Sequence, residues 1–311
     1  MDRGVSNLPR EPIPPVQPSD QATARLMHKQ FAGTRIVGYS LAGEESFVAV
    51  PEYNVCFDVG RAPREVIPID FVCISHGHMD HAAGVAYYLS QRGFMGISPG
   101  NVVVHRKLAQ AFQRLQGVWS DIEGHPCPGR VIGVEHLEDV SVRRGLVIRP
   151  FAVNHSEGAL GFTIIESRHK LKPEFHGKTG PELVALKRGG IAIDEALEVP
   201  LLTYSGDTAI GRFLELDFVR KSRGVILECT FFDRDHRQRA QAGRHIHVDD
   251  LPRILDAIPE AQVMLIHTSR RTDIRAAKRM MLRAVKPSDT DRICLLMERP
   301  AKCPGKTETN L

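Results

Sequence analysis

Short apolar runs recur along most of the chain, each bounded by Gly, Pro or Asp. They are rich in β-branched residues and strand-sized, so the pattern predicts strands over 46–50, 54–59, 71–76, 102–105, 131–135, 146–154, 162–166, 201–205, 225–230, 263–267 and 293–297. Helical spacing is expected over 82–91, 106–115, 251–257 and 274–284. Asp249 and Asp250 can cap the third helix, and Thr272 and Asp273 the fourth. Early strands follow one another directly and later ones alternate with helices. That mixture predicts an α/β (α+β) fold of two sheets packed face to face with helices outside.

The ends of the chain break the pattern. Residues 1–30, rich in Pro, Gln, Asp and Ser, read as a mobile leader, and 300–311 as a polar tail, leaving 31–299 as one folded domain. No apolar run is long enough to span a bilayer, and no secretion signal is legible, so no membrane partner is expected. Six cysteines are scattered without a CxxC pair, several inside apolar strands, which points to a reducing cytoplasm. The formal charge of +4 permits a polyanionic partner without requiring one.

Chemistry concentrates at strand ends. His76, His155, Asp207 and His267 each close an apolar strand or lie just beyond it, which places them on one rim of the sandwich. The run His76-Gly77-His78-Met79-Asp80-His81 packs three imidazoles and a carboxylate into six residues. The alternation turns His76 and His78 the same way, and Gly77 is expected to leave room for close backbone. Zinc suits such a nitrogen/oxygen donor set, and manganese or iron also accept it. Two neighbouring dications need about seven ligands and a shared anion, and the sequence supplies that number. Glu228 lies within an apolar strand, where a carboxylate is costly unless paired. Asp58 is a candidate to hold a ligand imidazole or loop backbone, or is simply a loop aspartate before Gly60. His105, His125, His136, His169, His176 and His236 lack any ligand context and read as structural or surface residues. The only tryptophan is Trp119 and aromatic residues are 6%, so no stacking platform for single strands is legible.

SHGHMDH after FVCI resembles the metallo-β-lactamase superfamily, which implies a four-layer αββα sandwich. FDVG, NHSEGALGF, TYSGDT, LECTF, GRHIH and LIHTSRR, in that order, resemble the tRNase Z (ribonuclease Z) family, particularly its short plant-type members, as does KTGPELVALKRG at 178–189. The resemblance implies that His76, His78 and His155 hold one zinc. Asp80, His81 and His267 would hold the second, with Asp207 bridging. It further implies an endonuclease removing 3′ trailers from precursor tRNA, with Asp80 orienting or deprotonating the nucleophilic water. Glu228 would orient a histidine that acts as general acid. His245 and His247 compete for that role, and the spacing to His267 favours His245. Lys178, Lys187, Arg188, Ser269 and Arg270 are the implied substrate contacts, and a homodimer is the implied assembly. The sequence departs from the family at His267-Thr268-Ser269-Arg270-Arg271, where aromatic neighbours are replaced. Two alternatives stay open: another hydrolase of this fold acting on a small phosphodiester, lactone or thioester, and a non-catalytic metal-stabilised RNA-binding protein.

Overall fold

The computed structural model describes residues 26–299; most of the expected leader and the expected tail lie outside the described residues. One sheet has the strand order β1 (Met27–Phe31), β2 (Thr34–Ala42), β3 (Glu45–Val50), β4 (Val55–Phe57), β5 (Phe71–Cys73), β6 (Gly100–His105), β7 (Gly129–Val134), with the two-residue β14 (Thr268–Ser269) added alongside β2. The other runs β15 (Ile293–Leu295), β13 (Gln262–Ile266), β12 (Gly224–Glu228), β11 (Asp194–Tyr204), β10 (Leu160–Leu171), β9 (Leu146–Ala152), β8 (Val140–Arg143). In each sheet the first four strands in chain order are antiparallel and the following ones parallel.

Two-residue alternation builds the layers. Val48, Val50, Phe57 and Cys73 face Ile148, Phe162, Ile226, Met264 and Ile266 in a core between the sheets. Their neighbours Phe47, Ala49, Cys56 and Val72 turn outward. There they meet Val85, Tyr88 and Leu89 of α2 (Val85–Phe94), which follows the one-turn α1 (Met79–Ala82), and Phe112 of α3 (Arg106–Glu123). On the far side Val225, Leu227, Val263 and Leu265 pack under α7 (Leu251–Ala257) and α8 (Ile274–Ala284). The expected αββα sandwich is therefore observed. Three further segments complete the α-helices among the described residues: α4 (Gly180–Arg188), α5 (Asp217–Arg220) and α6 (Arg237–Gly243).

Several boundaries move. The leader ends earlier than residue 30, because Met27–Phe31 pairs with β2. β2 escaped the pattern because Gly38, Tyr39 and Ser40 interrupt its aliphatic run, although all three are buried. Helix α3 continues past Gly117 to Gly124, whose φ of 72° ends it. Asp273 caps α8 as expected, accepting from the amides of Arg275 and Ala276. Asp250 precedes α7 without capping it by its side chain, and accepts from the His247 amide instead.

Strands β10 and β11 also run well beyond the sandwich. Their register continues to Leu171 opposite Asp194, and most of this outer part is exposed. Between them sits α4, opened by a Thr179/Glu182 capping box and burying no residue.

Candidate metal centre and active site

Parallel strands end together on one rim, and that rim carries the chemistry. β5 delivers Ser75 and His76, with His78, Asp80 and His81 following into α1. β11 delivers Asp207, β12 Glu228 and Thr230, β13 His267, and the β9–β10 loop His155. The turns are tight. His267 and Asp58 have φ of 60° and 54°. Gly206 has φ of 59°, and a Cβ there would lie 2.7 Å from that of Ser75, so no other residue fits. Gly77, by contrast, faces open space, so its expected steric role is not observed.

Candidate ligand atoms fall into three groups, each within 4.8 Å: His76, His78, His155 and Asp207; Asp80, His81 and His267; and an overlapping one of Asp207, His245 and His267. Asp207 Oδ2 lies between the first two. It is 3.8 Å from His76 Nε2, 3.9 Å from His155 Nε2, 3.5 Å from His81 Nε2 and 3.3 Å from His267 Nε2.

Hydrogen bonds behind the rings fix which nitrogen faces the centre. Buried Asp58 accepts from His81 Nδ1 at 2.7 Å, leaving Nε2 inward. The Ser75 hydroxyl donates to Asp58 and so accepts from His76 Nδ1 at 3.0 Å. The Thr230 hydroxyl donates to Glu228 Oε2 and accepts from His267 Nδ1 at 2.9 Å. His155 Nδ1 donates to the Arg244 carbonyl at 3.4 Å. Four imidazoles thus present Nε2, while His78 presents Nδ1, 2.9 Å from His76 Nε2 and 3.4 Å from His155 Nε2. Converging lone pairs repel one another unless a cation lies among them. Asp207 Oδ1 is buried without a hydrogen-bond partner, which is equally costly without one. The donor set fits divalent metal ions.

Electrostatics agree. Burial, reinforced by His81, pushes His76 down to about 2, and burial lowers His155, so both rings are neutral and ready to ligate. Burial opposes charge on Asp207, yet His267 and His81 hold its carboxyl well below the usual range. Asp80 is likewise held low against burial by His267 and His81, and its Oδ2 accepts from the Gly43 amide at 2.8 Å. Burial would neutralise His81, but Asp207 and Asp58 raise it well above the ordinary value.

Glu228, fully buried, accepts from His245 Nδ1 at 2.9 Å, from the amides of Thr208, Thr230 and Ile246, and from the Thr230 hydroxyl. Burial disfavours a charged His245, but the bond to Glu228 and its charge lift the ring to about 9. His245 lies 4.9 Å from the His155 ring and 5.4 Å from that of His267. His247 is not part of this site. It is buried, its Nε2 donates to the Asp233 carbonyl, and its Nδ1 accepts from the Asp249 amide. Both of its ring nitrogens are engaged in a turn before α7, unlike those of His245.

A cavity of about 610 Å³ opens over the centre, walled by Gly43, His78, Asp80, His245, Ser269, Arg270 and Arg271 among others. Arg270 also pairs with Glu44 at 3.3 Å. Lys178, Lys187 and Arg188 lie elsewhere, on and beside α4, where Lys187 pairs with Asp194 at 3.0 Å. Thr230, Tyr204 and Arg244 are site residues that the sequence reading missed. Tyr204 donates to Asp58 at 2.6 Å. A hydroxyl residue after LEC and an arginine before HIH were the available signals. The other histidines are peripheral: His105 caps α3 and His136 accepts from the Ala152 amide.

A family model described as the beta-lactamase superfamily domain matches residues 49–268. The tRNase Z TRZ1 of Arabidopsis thaliana is 28% identical over 255 residues, 79% of this chain and 89% of that protein. The nuclear ribonuclease Z of Triticum aestivum is 30% identical over 164 residues, 53% of this chain and 93% of that protein. Among solved structures, the metallo-beta-lactamase fold protein YhfI from Bacillus subtilis superposes with a TM-score of 0.56 at 12% identity, covering 82% of this chain and 92% of that one, a likeness of fold.

Proposed function

The chain belongs to the β-lactamase superfamily and, within it, to the ribonuclease Z family; from that premise we propose that it is a metal-dependent endoribonuclease that removes 3′ trailers from precursor tRNA. The observation that carries this reading is the Glu228–His245 pair set against the ligand cluster. A thiolate leaves a thioester without a proton, whereas a sugar 3′-oxygen leaves as a strongly basic alkoxide that a protonated imidazole beside the ions can neutralise.

Two ions are proposed, zinc by the nitrogen and carboxylate donors. His76, His78 and His155 would hold one and Asp80, His81 and His267 the other, with Asp207 shared. Bound there, they would lower the pKa of water towards neutrality and draw charge from the phosphoryl oxygens. Asp80 is low enough in pKa to stay ionised, so it accepts a hydrogen bond from the attacking water and orients it. Asp58, Ser75, Thr230 and Arg244 keep each ring in the tautomer that ligates. His245 has Nδ1 committed to Glu228, so Nε2 carries the proton to the leaving 3′-oxygen. Ser269, Arg270 and Arg271 line the cavity and contact the flanking phosphates. The products are a tRNA with a 3′-hydroxyl and a trailer with a 5′-phosphate.

The β10–β11 extension is assigned to the tRNA body, with Lys178, Lys187 and Arg188 at its tip. It leaves the sandwich at the N-terminal end of β11. Asp194 and Tyr204 are therefore separated by about 33 Å along an extended strand, with the metal rim at the Tyr204 end. That distance supports a homodimer, in which the extension of one protomer serves the rim of the other. The cytoplasm is the proposed compartment, because Cys56, Cys73, Cys127 and Cys229 are buried free thiols. No described helix is long and apolar enough to cross a membrane.

The test is incubation of metal-loaded protein with a precursor-tRNA transcript, mapping both new ends. A cut directly after the discriminator base supports the reading. Absence of cleavage, or turnover of a lactone or thioester instead, overturns it.

A further inference from the structure

We propose that the outward face of α8 carries the trailer away from the catalytic cavity, through a line of arginines that grips its phosphates. This rests on the processing activity proposed above and names where the released part of the substrate lies. Arg271 is in the cavity wall. Arg275, Arg279 and Arg283 follow at four-residue intervals, all exposed. On a helix this spacing stacks them on one face, about 6 Å apart along the axis. The face is opposite to the buried Ala277 and Met281, which seat α8 on the sheet beneath.

These four cations are conspicuous because they are unspent. Several arginines in neighbouring segments are engaged: Arg237 pairs with Asp249 and Asp250, Arg292 with Asp289, and Arg270 with Glu44. The other basic side chain on the helix, Lys278, pairs with Glu298. Among the described residues, no ion pair or side-chain hydrogen bond engages Arg271, Arg275, Arg279 or Arg283. Exposed like charges in a row repel and give the fold nothing, so their placement points to an external polyanion. A single file of charges repeating on the scale of successive phosphates matches one strand rather than a duplex. The exposed face of α8 has no aromatic side chain, so it reads backbone and not bases. A grip of that kind suits a trailer, because it is indifferent to its sequence.

The decisive experiment uses the metal-loaded full chain and the triple variant Arg275→Gln, Arg279→Gln, Arg283→Gln. Precursors with one-nucleotide and ten-nucleotide trailers are compared, alongside binding of a single-stranded RNA 12-mer across a salt series. The proposal expects the long-to-short ratio of kcat/KM to fall about tenfold or more, since three exposed charge contacts are removed. It also expects the slope of log K against log salt for the 12-mer to shrink by about 2. An unchanged ratio and slope overturn it. Equal losses on both precursors also overturn it, because the arginines would then hold the tRNA body. If the unsubstituted protein cuts no precursor at all, the processing reading fails. The 12-mer slope still decides, on its own, whether the arginines hold a strand.

Discussion

Arg244 and His155 hold each other from both ends. The Arg244 guanidinium donates to the His155 carbonyl at 2.7 Å, while the Arg244 carbonyl accepts from His155 Nδ1 at 3.4 Å. Arg244 closes α6 in the left-handed region at φ 54°, a conformation unfavourable for a side chain of its size. The same turn presents His245 to Glu228. One residue therefore couples a ligand imidazole to the proposed acid catalyst.

Arg244→Ala should lower metal affinity and kcat together, by about tenfold each, the usual worth of a group that orients a ligand. Metal content by atomic emission and turnover at saturating metal separate the two effects. An unchanged metal content with normal kcat would show that the pair is only a loop tether.

In the proposed mechanism Glu228 sets the acid. It lifts His245 to about 9 against a burial that would push it down. The protonated ring is the donor, so activity should fall as pH rises through that value, a limb that bound cations beside the ring displace downward. Glu228→Gln removes the charge and leaves burial in place. The alkaline limb should then move to lower pH by at least one unit, with the largest rate loss above neutrality. Measuring kcat from pH 5 to 10 on both proteins checks it. A limb that stays in place would free His245 from Glu228.

The two histidines of GRHIH mark where sequence reading reaches its limit. Candidate ligands that end apolar strands were legible, because an imidazole or carboxylate there breaks a hydrophobic pattern abruptly. His76, His155, Asp207 and His267 all stand out in this way, and the structure gathers them on one rim. Two facing sheets were legible in the change from successive strands to strands alternating with helices, and the αββα layering in the family resemblance; β3, β12 and β13 indeed alternate between two cores. What decides His245 against His247 is not periodic. It depends on backbone turning at Arg244, which aims one ring at Glu228 and buries the other against Asp233. Nor could the sequence show that Thr230 relays between Glu228, two residues before it, and His267, which another strand delivers.

His245→Ala should reduce kcat by roughly 10² to 10⁴ with both metals retained. His247→Ala should leave kcat within a few-fold and cost about 1–3 kcal/mol of stability, through a lost cap and an unsatisfied Asp233 carbonyl. Thermal melts and single-turnover rates on the pair distinguish them. The reverse pattern would reassign the acid.

Metal removal should destabilise the fold, because it leaves repelling imidazole lone pairs and the unpartnered Asp207 Oδ1 on one buried rim. Zinc at a hundredfold excess over its dissociation constant should add about 2.7 kcal/mol, visible as a rise in Tm. Asp207 and Asp58 raise His81 well above its ordinary pKa, so a proton competes with metal there. Affinity should therefore climb with pH until His81 has titrated, and binding should release protons. Calorimetry in buffers of different ionisation enthalpy measures that release.

Asp58 is the deepest of these supports, and it serves both proposed ions. Its Oδ2 accepts from His81 Nδ1, the Ser75 hydroxyl and the Tyr204 hydroxyl, while Oδ1 accepts from the Ser75 amide. Through Ser75 it also fixes His76. An asparagine has one acceptor oxygen. If that oxygen takes the crowded position, the amide NH2 meets the Ser75 N–H, donor against donor; if it flips, three donors lose their acceptor. Asp58→Asn should therefore weaken both metals by about 10- to 100-fold and lower stability as well. Tyr204→Phe removes a single donor and creates no clash, so its effect on metal affinity should stay within a few-fold. Competition against a chromophoric chelator measures both variants. If Tyr204→Phe proved as damaging as Asp58→Asn, the ligands would owe their positions to packing around the Tyr204 and Phe57 rings, stacked at 4.9 Å, rather than to the carboxylate behind them.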